Sequence, residues 1–264
     1  ADDPDDEAAG AAALVLLLPL MGFLIVFWAV YQQMTSNFTL QACQMDLRVG
    51  DGQISATQLN LLDTLVILLA IPLFDRVVYP AVEARLGARV LTPLRKMGVG
   101  FVFGALSMVC AAAVEVARKR SALIEKPLSN CKLYSGQQMR ELSVFWQVPQ
   151  YVCVGVAEIL ISIPAYDLFY SEVPASLKSV CQALNLLTTT FGAMVAAVLN
   201  SVFARWLPDD LDDGHAERMY VFLAALCALN LVAFARVVAR GYGGRGYQYR
   251  SAAHAAAASS GSAD

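Results

Sequence analysis

Long apolar blocks, rather than a short-period alternation of apolar and polar residues, govern what this chain can fold into. Six stretches approach or exceed the ~20 residues that a helix needs to cross the hydrocarbon core of a bilayer: 11–31, 59–74, 97–114, 144–170, 180–203 and 220–235. Three of the first five carry no charged residue, the second is interrupted only by Asp63, and the fourth holds Glu158 and Asp167. Continuous blocks favour helices, because barrel strands alternate over about ten residues. Composition agrees: 58% of the 264 residues are apolar and 16% are charged, against about 45–50% and 25% in soluble domains. A net charge of −3 supplies no basic field for phosphates, which excludes a nucleic-acid-binding module. The expected fold is therefore all-α: a polytopic membrane protein with six transmembrane helices whose first partner is the lipid bilayer.

The connections divide the chain into three parts. Residues 1–10, with ADDPDDE, read as an acidic linker lacking the basic start of a signal peptide. Residues 11–240 form the bundle, and 241–264 are a low-complexity tail expected to be disordered and cytoplasmic. Orientation from Lys and Arg is nearly tied, with about ten on one side against about nine on the other. The six cysteines form no CxxC pair, and Cys110, Cys153, Cys181 and Cys227 lie inside apolar blocks. All six are read as small packing residues rather than as a disulfide or metal framework. With two histidines, both in polar segments, a metal site or a cofactor is not expected.

Polar groups inside the apolar blocks are the candidate functional residues. Glu158 lies near the middle of its span, where a carboxylate costs roughly 2.5–3.5 kcal/mol to insert. Its short side chain reaches neither interface, so it is protonated or meets a cation or a wet cavity. Helical spacing sets Tyr151, Gly155, Glu158 and Ser162 on one stripe. The bland alternative is a protonated acid bonded to a neighbouring helix. Asp63 lies one turn into its span, with Asn60 and Ile67 on its face. The first span ends in Trp28, Tyr31, Gln32, Gln33, Thr35 and Ser36, and Trp28, Gln32 and Thr35 share a face. The fifth has a stripe of Gln182, Asn185, Thr188, Thr189 and Gly192. An aromatic belt and close helix packing are the ordinary readings of these two stripes. Pro164, six residues after Glu158, is a candidate hinge. No GxSxG, HExxH, Walker loop or dinucleotide fingerprint occurs in a fitting context, so the chain is not expected to be an enzyme.

Several blocks, in order, resemble the carboxy-terminal half of a proton-dependent oligopeptide transporter (POT/PTR family) of the major facilitator superfamily. The segment 148–183 contains PQY, the embedded Glu158 and FYSEVPASLKS, which is similar to the family signature FSYSQAPSSMKS. FWAVYQQMTSNFTLQ (27–41), LLDTLVILLAIPLFDRVVYP (61–80) and LTPLRKMGVGFVF (91–103) resemble the family's seventh, eighth and ninth helices. The resemblance covers roughly residues 11–243.

This resemblance implies one half of a twelve-helix bundle, with both ends cytoplasmic, in a plasma, lysosomal or vacuolar membrane. It implies a proton as coupling ion and a small peptide or peptide-like solute as substrate, with histidine or nitrate among the alternatives. Glu158 would meet the substrate amine and couple the proton. Trp28, Gln32, Asp63, Asn185, Ser162 and Tyr151 would line the cavity. An amino-terminal six-helix half, with its ExxER motif, would be the missing partner, and the acidic start fits a cut in the linker between halves. Three positions depart from the common family pattern: Gln32 where many members have an acid, Asp63 where asparagine is frequent, and Asn185 where a tryptophan often lines the pocket. The rival expectation is a non-transporting membrane scaffold or solute sensor.

Overall fold

The computed structural model describes residues 4–87, 90–125, 131, 138–171 and 177–242. Residues 243–264, where most of the tail falls, lie outside that set, as do residues 172–176 within the FYSEVPASLKS segment. Among the described residues the regular elements are helices, apart from a two-stranded hairpin of β1 (Arg48–Val49) and β2 (Gly52–Gln53) and two isolated β-bridges.

Helix α1 (Pro4–Tyr31) continues through a π-helical turn, Met34–Phe38, into α2 (Thr39–Cys43). Next come α3 (Asn60–Leu73) and α4 (Tyr79–Leu86), then α5 (Pro93–Arg120), α6 (Val148–Ser171), α7 (Lys178–Val202) and α8 (Ala216–Val237). Among the described residues five helical segments are long and apolar enough to cross a membrane: Leu17–Cys43, Pro93–Arg120, Val144–Tyr170, Lys178–Val202 and Ala216–Arg240. They match five of the six expected spans. The expected span at 59–74 is built differently, as the 14-residue α3 followed by a π-helical segment, Phe74–Val78, and then α4. Pro72 lacks the N–H that would bond back one turn, and the ladder widens just beyond it. Pro164, by contrast, is carried inside an unbroken α6.

Local chemistry sets the helix ends. Pro93 opens α5, and Thr92 Oγ1 accepts the Arg95 N–H at 3.3 Å. Arg118, Lys119 and Arg120 complete its last turn, where the helix dipole favours cations. Helix α5 packs on α6 and α8, α1 on α7, and α3 on α6. One apolar core gathers around Phe38, Met108, Tyr151 and Tyr220, and a second around Leu24, Phe27, Phe101 and Ile161. Gly192 permits the α1–α7 approach, because a Cβ there would collide with Trp28.

The end of the bundle beyond α2 and α5 is cross-linked. Cys43 and Cys131 form a disulfide with Cα atoms 5.8 Å apart. This corrects the reading of all six cysteines as packing residues. Spacing could not reveal a pair 88 positions apart, since the two are brought together only by the return of α5. The four cysteines in the apolar blocks are free, as expected. Replacing Cys43 by Ser is expected to cost about 2–5 kcal/mol. Thermal unfolding with and without reductant checks this: a reductant-induced fall should appear in the unmodified protein and vanish in Cys43→Ser.

Polar groups reinforce the same end. Asp46 accepts hydrogen bonds from Arg48 Nε and Nη2, each at 2.7 Å, and from its backbone N–H at 3.0 Å. These bonds hold the Asp46 carboxyl below the usual carboxylate range. The pair therefore contributes stability above the ordinary carboxylate range, and loses it as pH falls through the lowered value. Backbone bonds between Asp46 and the segment at Leu142–Val144 close the cap.

Candidate functional site

The two acids that sequence periodicity placed on separate helices meet. Asp63 stands in the first turn of α3 and is 4% exposed. Glu158 stands at mid-length in α6, which runs alongside α3. The contact is close because Gly155, one turn before Glu158, has no side chain. A Cβ there would lie 2.8 Å from Asp63 Oδ1 and 2.9 Å from Val66 Cγ1. From α1, the Tyr31 hydroxyl donates to Asp63 Oδ2 at 3.2 Å, and Tyr31 interacts with the Glu158 carboxyl as well. Glu158 and Asp63 lie close enough for their charges to act on each other. Three helices thus converge on one hydroxyl and two carboxyls.

This cluster is chemically incomplete. Asp63 Oδ1, Glu158 Oε2 and the nearby Ser162 Oγ are buried without a hydrogen-bond partner. None of the ion pairs among the described residues reaches either acid. Two adjacent carboxyls with free lone pairs can take a proton, or a cationic group offering several N–H donors. Among the described residues no group of three or more His, Cys, Asp or Glu could hold a metal ion.

The other expected site residues divide. Trp28, Ser162 and Asn185 come together around a small cavity of about 20 Å³ between α1, α6 and α7, roughly the space of one water. Trp28 also packs edge-on against Tyr31, with ring centroids 5.2 Å apart, which links that cavity to the carboxyl cluster. Tyr151 is fully buried, and its hydroxyl donates to Asn60 Oδ1 at 3.2 Å, one turn before Asp63. Among the described residues the hydrogen bonds of Gln32 are local, with Trp28, Thr35 and Ser36. In the fifth-span stripe, Thr188 Oγ1 returns to the Asn185 carbonyl at 2.6 Å and Gly192 serves packing. Tyr31, named at the end of the first span but not among the expected cavity residues, shares the helical face of Trp28 and Thr35. That periodicity was the available signal.

A bundle of membrane-spanning helices that buries partnerless carboxyls facing one another has the build of a membrane transport protein. The family follows from comparison: the model for the POT family (PTR2) matches residues 6–209, and the chain belongs to that family. Among curated relatives, Protein NRT1/PTR FAMILY 8.1 of Arabidopsis thaliana is 31% identical over 253 residues, covering 91% of this chain and 42% of the relative. NRT1/PTR FAMILY 8.2 of the same plant is 33% identical over 233 residues, covering 84% and 40%. The crystal structure of an auto-inhibited POT family peptide transporter superposes with a TM-score of 0.71 at 24% identity, covering 90% of this chain and 43% of that one. The in meso crystal structure of the POT family transporter PepTSo gives 0.71 at 25%, covering 92% and 44%. The chain therefore spans about two fifths of the length of the relatives it matches. The matched structures are transporters rather than enzymes, and the all-α polytopic membrane fold is shared with them.

Proposed function

We propose that this chain is the carboxy-terminal six-helix half of a proton-coupled symporter for di- or tripeptides or peptide-like solutes, and that it works against a second six-helix bundle. The observation that carries the proposal is the Tyr31–Asp63–Glu158 cluster, with its unpartnered carboxyl oxygens. In this reading the cluster is loaded alternately. A substrate ammonium supplies the positive charge and the N–H donors that the two acids lack. A proton on Glu158 removes that attraction and favours release. Asp63 shares the ammonium, and Tyr31 orients Asp63 by its hydrogen bond. Trp28, Ser162 and Asn185 contact the rest of the solute, while Tyr151 acts through Asn60 to hold the start of α3. Gln32 lines the wider cavity without a place in the cluster. The family resemblance keeps nitrate and amino acids such as histidine among the solutes to test.

The disulfide supports an orientation that the charge count left tied. Disulfides persist on the oxidising side of a membrane, so the Cys43–Cys131 end faces outward or into a lumen. The start of α1 and the end of α8 then face the cytoplasm.

The test uses the full-length natural protein in sealed vesicles. Labelled dialanine is expected to accumulate when an inward proton gradient is imposed, and to stop accumulating when the gradient is collapsed. Unlabelled histidine and nitrate in competition, at two pH values, rank the solutes. Saturable dialanine binding with no gradient-driven flux would instead select a solute sensor.

A further inference from the structure

The geometry points to a second ligand site on this chain: a groove that seats one acyl chain of an anionic phospholipid, with the headgroup on Arg95 and Lys96. The groove is formed by α4, α5, α8 and the π-helical segment before α4, and has a volume of about 700 Å³. Its floor is apolar, built from Phe74, Val78, Val99, Val102, Leu231 and Val238. Among the described residues the charged side chains lining it are Arg95 and Lys96, both cations. Asp75 and Asp167 line a separate cavity that shares Lys96, and neither lines the groove.

Four observations favour a lipid as occupant. First, the groove faces away from the carboxyl pair. Leu160 of α6 lies on its wall, two residues and about 200° around the helix from Glu158. A second bundle closing over Asp63 and Glu158 would leave it uncovered. Second, the polarity changes along α5 as it does along a phospholipid. Arg95 and Lys96 stand in the first turn, while Val99 and Val102, each 49% exposed, follow one and two turns deeper. Third, the cations are held at the mouth. Lys96 Nζ rests 3.9 Å from the centroid of the Tyr79 ring, and the exposed Arg236 and Arg240 continue the positive charge along the end of α8. Fourth, this mouth lies at the end of α5 remote from the disulfide. Lys96 and Arg120 are separated by roughly 36 Å of helix, more than the hydrocarbon thickness. With the disulfide on the oxidising side, the groove opens to the cytoplasmic leaflet, where anionic lipids concentrate and basic pockets between helices hold their headgroups. A free anion would gain nothing from the apolar floor, and a zwitterionic lipid, whose choline offsets its phosphate, would gain less from the cations than an anionic one.

The experiment reads lipid retention, which does not depend on transport. Full-length protein stripped of lipid is titrated with dioleoyl phosphatidylglycerol or dioleoyl phosphatidylcholine and examined by native mass spectrometry. Each basic side chain at the membrane surface is worth about fivefold, so a preference for phosphatidylglycerol of roughly 25-fold is expected. The pair Arg95→Gln with Lys96→Gln is expected to bring the two lipids near parity. Val99→Trp, which fills the floor, is expected to reduce retention of both. Should Val99→Trp fail to elute as a monodisperse protein, the glutamine pair decides alone. It preserves the fold, because only the Arg95 backbone serves the helix cap. Equal retention of the two lipids by the unmodified protein, or an undiminished preference in the glutamine pair, overturns the site. So does displacement of the lipid by glycerol 1-phosphate, which would place recognition on the phosphate alone.

Discussion

Glu158→Gln in the full-length protein is expected to abolish concentrative, pH-driven uptake while leaving the protein folded and in the membrane. The substitution keeps the shape of the side chain but removes both properties that the proposal assigns to it. An amide takes up no proton near neutral pH, so a gradient has nothing to load. It also offers a neutral acceptor to an ammonium in place of a charged one. Hydrogen bonds to charged groups contribute about 1.5–3 kcal/mol and neutral ones about 1. Apparent affinity for the substrate amine should therefore fall by roughly 3- to 30-fold in addition to the loss of accumulation. Asp63→Asn is expected to be milder, because Glu158 and Tyr31 remain to receive the amine and the proton. Uptake in vesicles under an imposed gradient checks both variants. Accumulation by Glu158→Gln equal to that of the unmodified protein would remove Glu158 from the coupling role. A larger loss in Asp63→Asn would transfer that role to Asp63.

Arg118→Ala is expected to be among the most destabilising single changes in the chain. Arg118 is fully buried at the end of α5. It bonds Glu115 through Nη2 at 2.7 Å and Nε at 3.0 Å, and Asp212 through Nη1 at 2.9 Å. Asp212 keeps Arg140 at 2.9 Å, so it stays paired when Arg118 is lost. Glu115 does not; among the described residues the side-chain bond it keeps is from the Gln41 amide at 2.9 Å. An uncompensated buried charge costs about 3–5 kcal/mol, which corresponds to a fall of roughly 10 °C or more in unfolding temperature. Adding Glu115→Gln to Arg118→Met should recover most of the loss, because it removes the stranded charge and restores bulk. Size-exclusion after stepwise heating measures both. An unfolding midpoint unchanged by Arg118→Ala would show that water reaches Glu115 and that the end of the bundle is open.

The arrangement of polar groups explains why these two effects differ in kind. At the disulfide end, among the described residues, the buried and half-buried ions of α5 are paired: Arg118 with Glu115 and Asp212, and Lys119 with Glu217 at 3.0 Å. At the middle of the bundle, Asp63 and Glu158 keep oxygens without partners. Burying a polar atom unpaired is costly, so unpaired groups mark places where something other than the fold completes the bonding. Paired charges at one end maintain structure, and the proposal above assigns the unpaired acids at the centre to a ligand.

Reading along the chain found the spans because each is a local property. A helix in lipid must satisfy its own backbone, and the apolar residues that permit this are contiguous. The span at 144–170 coincides with the observed one for the same reason. The span at 59–74 came out shorter and continued into a π-helical segment, because a proline changes the hydrogen-bond ladder without changing hydropathy. Glu158 and Asp63 stood out singly, since a carboxylate in an apolar block is anomalous wherever its helix packs. Their meeting depended on Gly155 and on the angle between α3 and α6, and the hub at Tyr31 depended on a third helix. The disulfide required the return of α5 to bring together residues 88 apart. The paired ions around Arg118 needed segments from three parts of the chain.

What the sequence alone determined, then, was which segments enter the membrane and which side chains are out of place there, because insertion is decided residue by residue against lipid. Which of those side chains face each other, which charges are neutralised and where the lipid-facing groove lies were decided by helix packing. Those are properties of pairs, and no single segment contains both members of a pair.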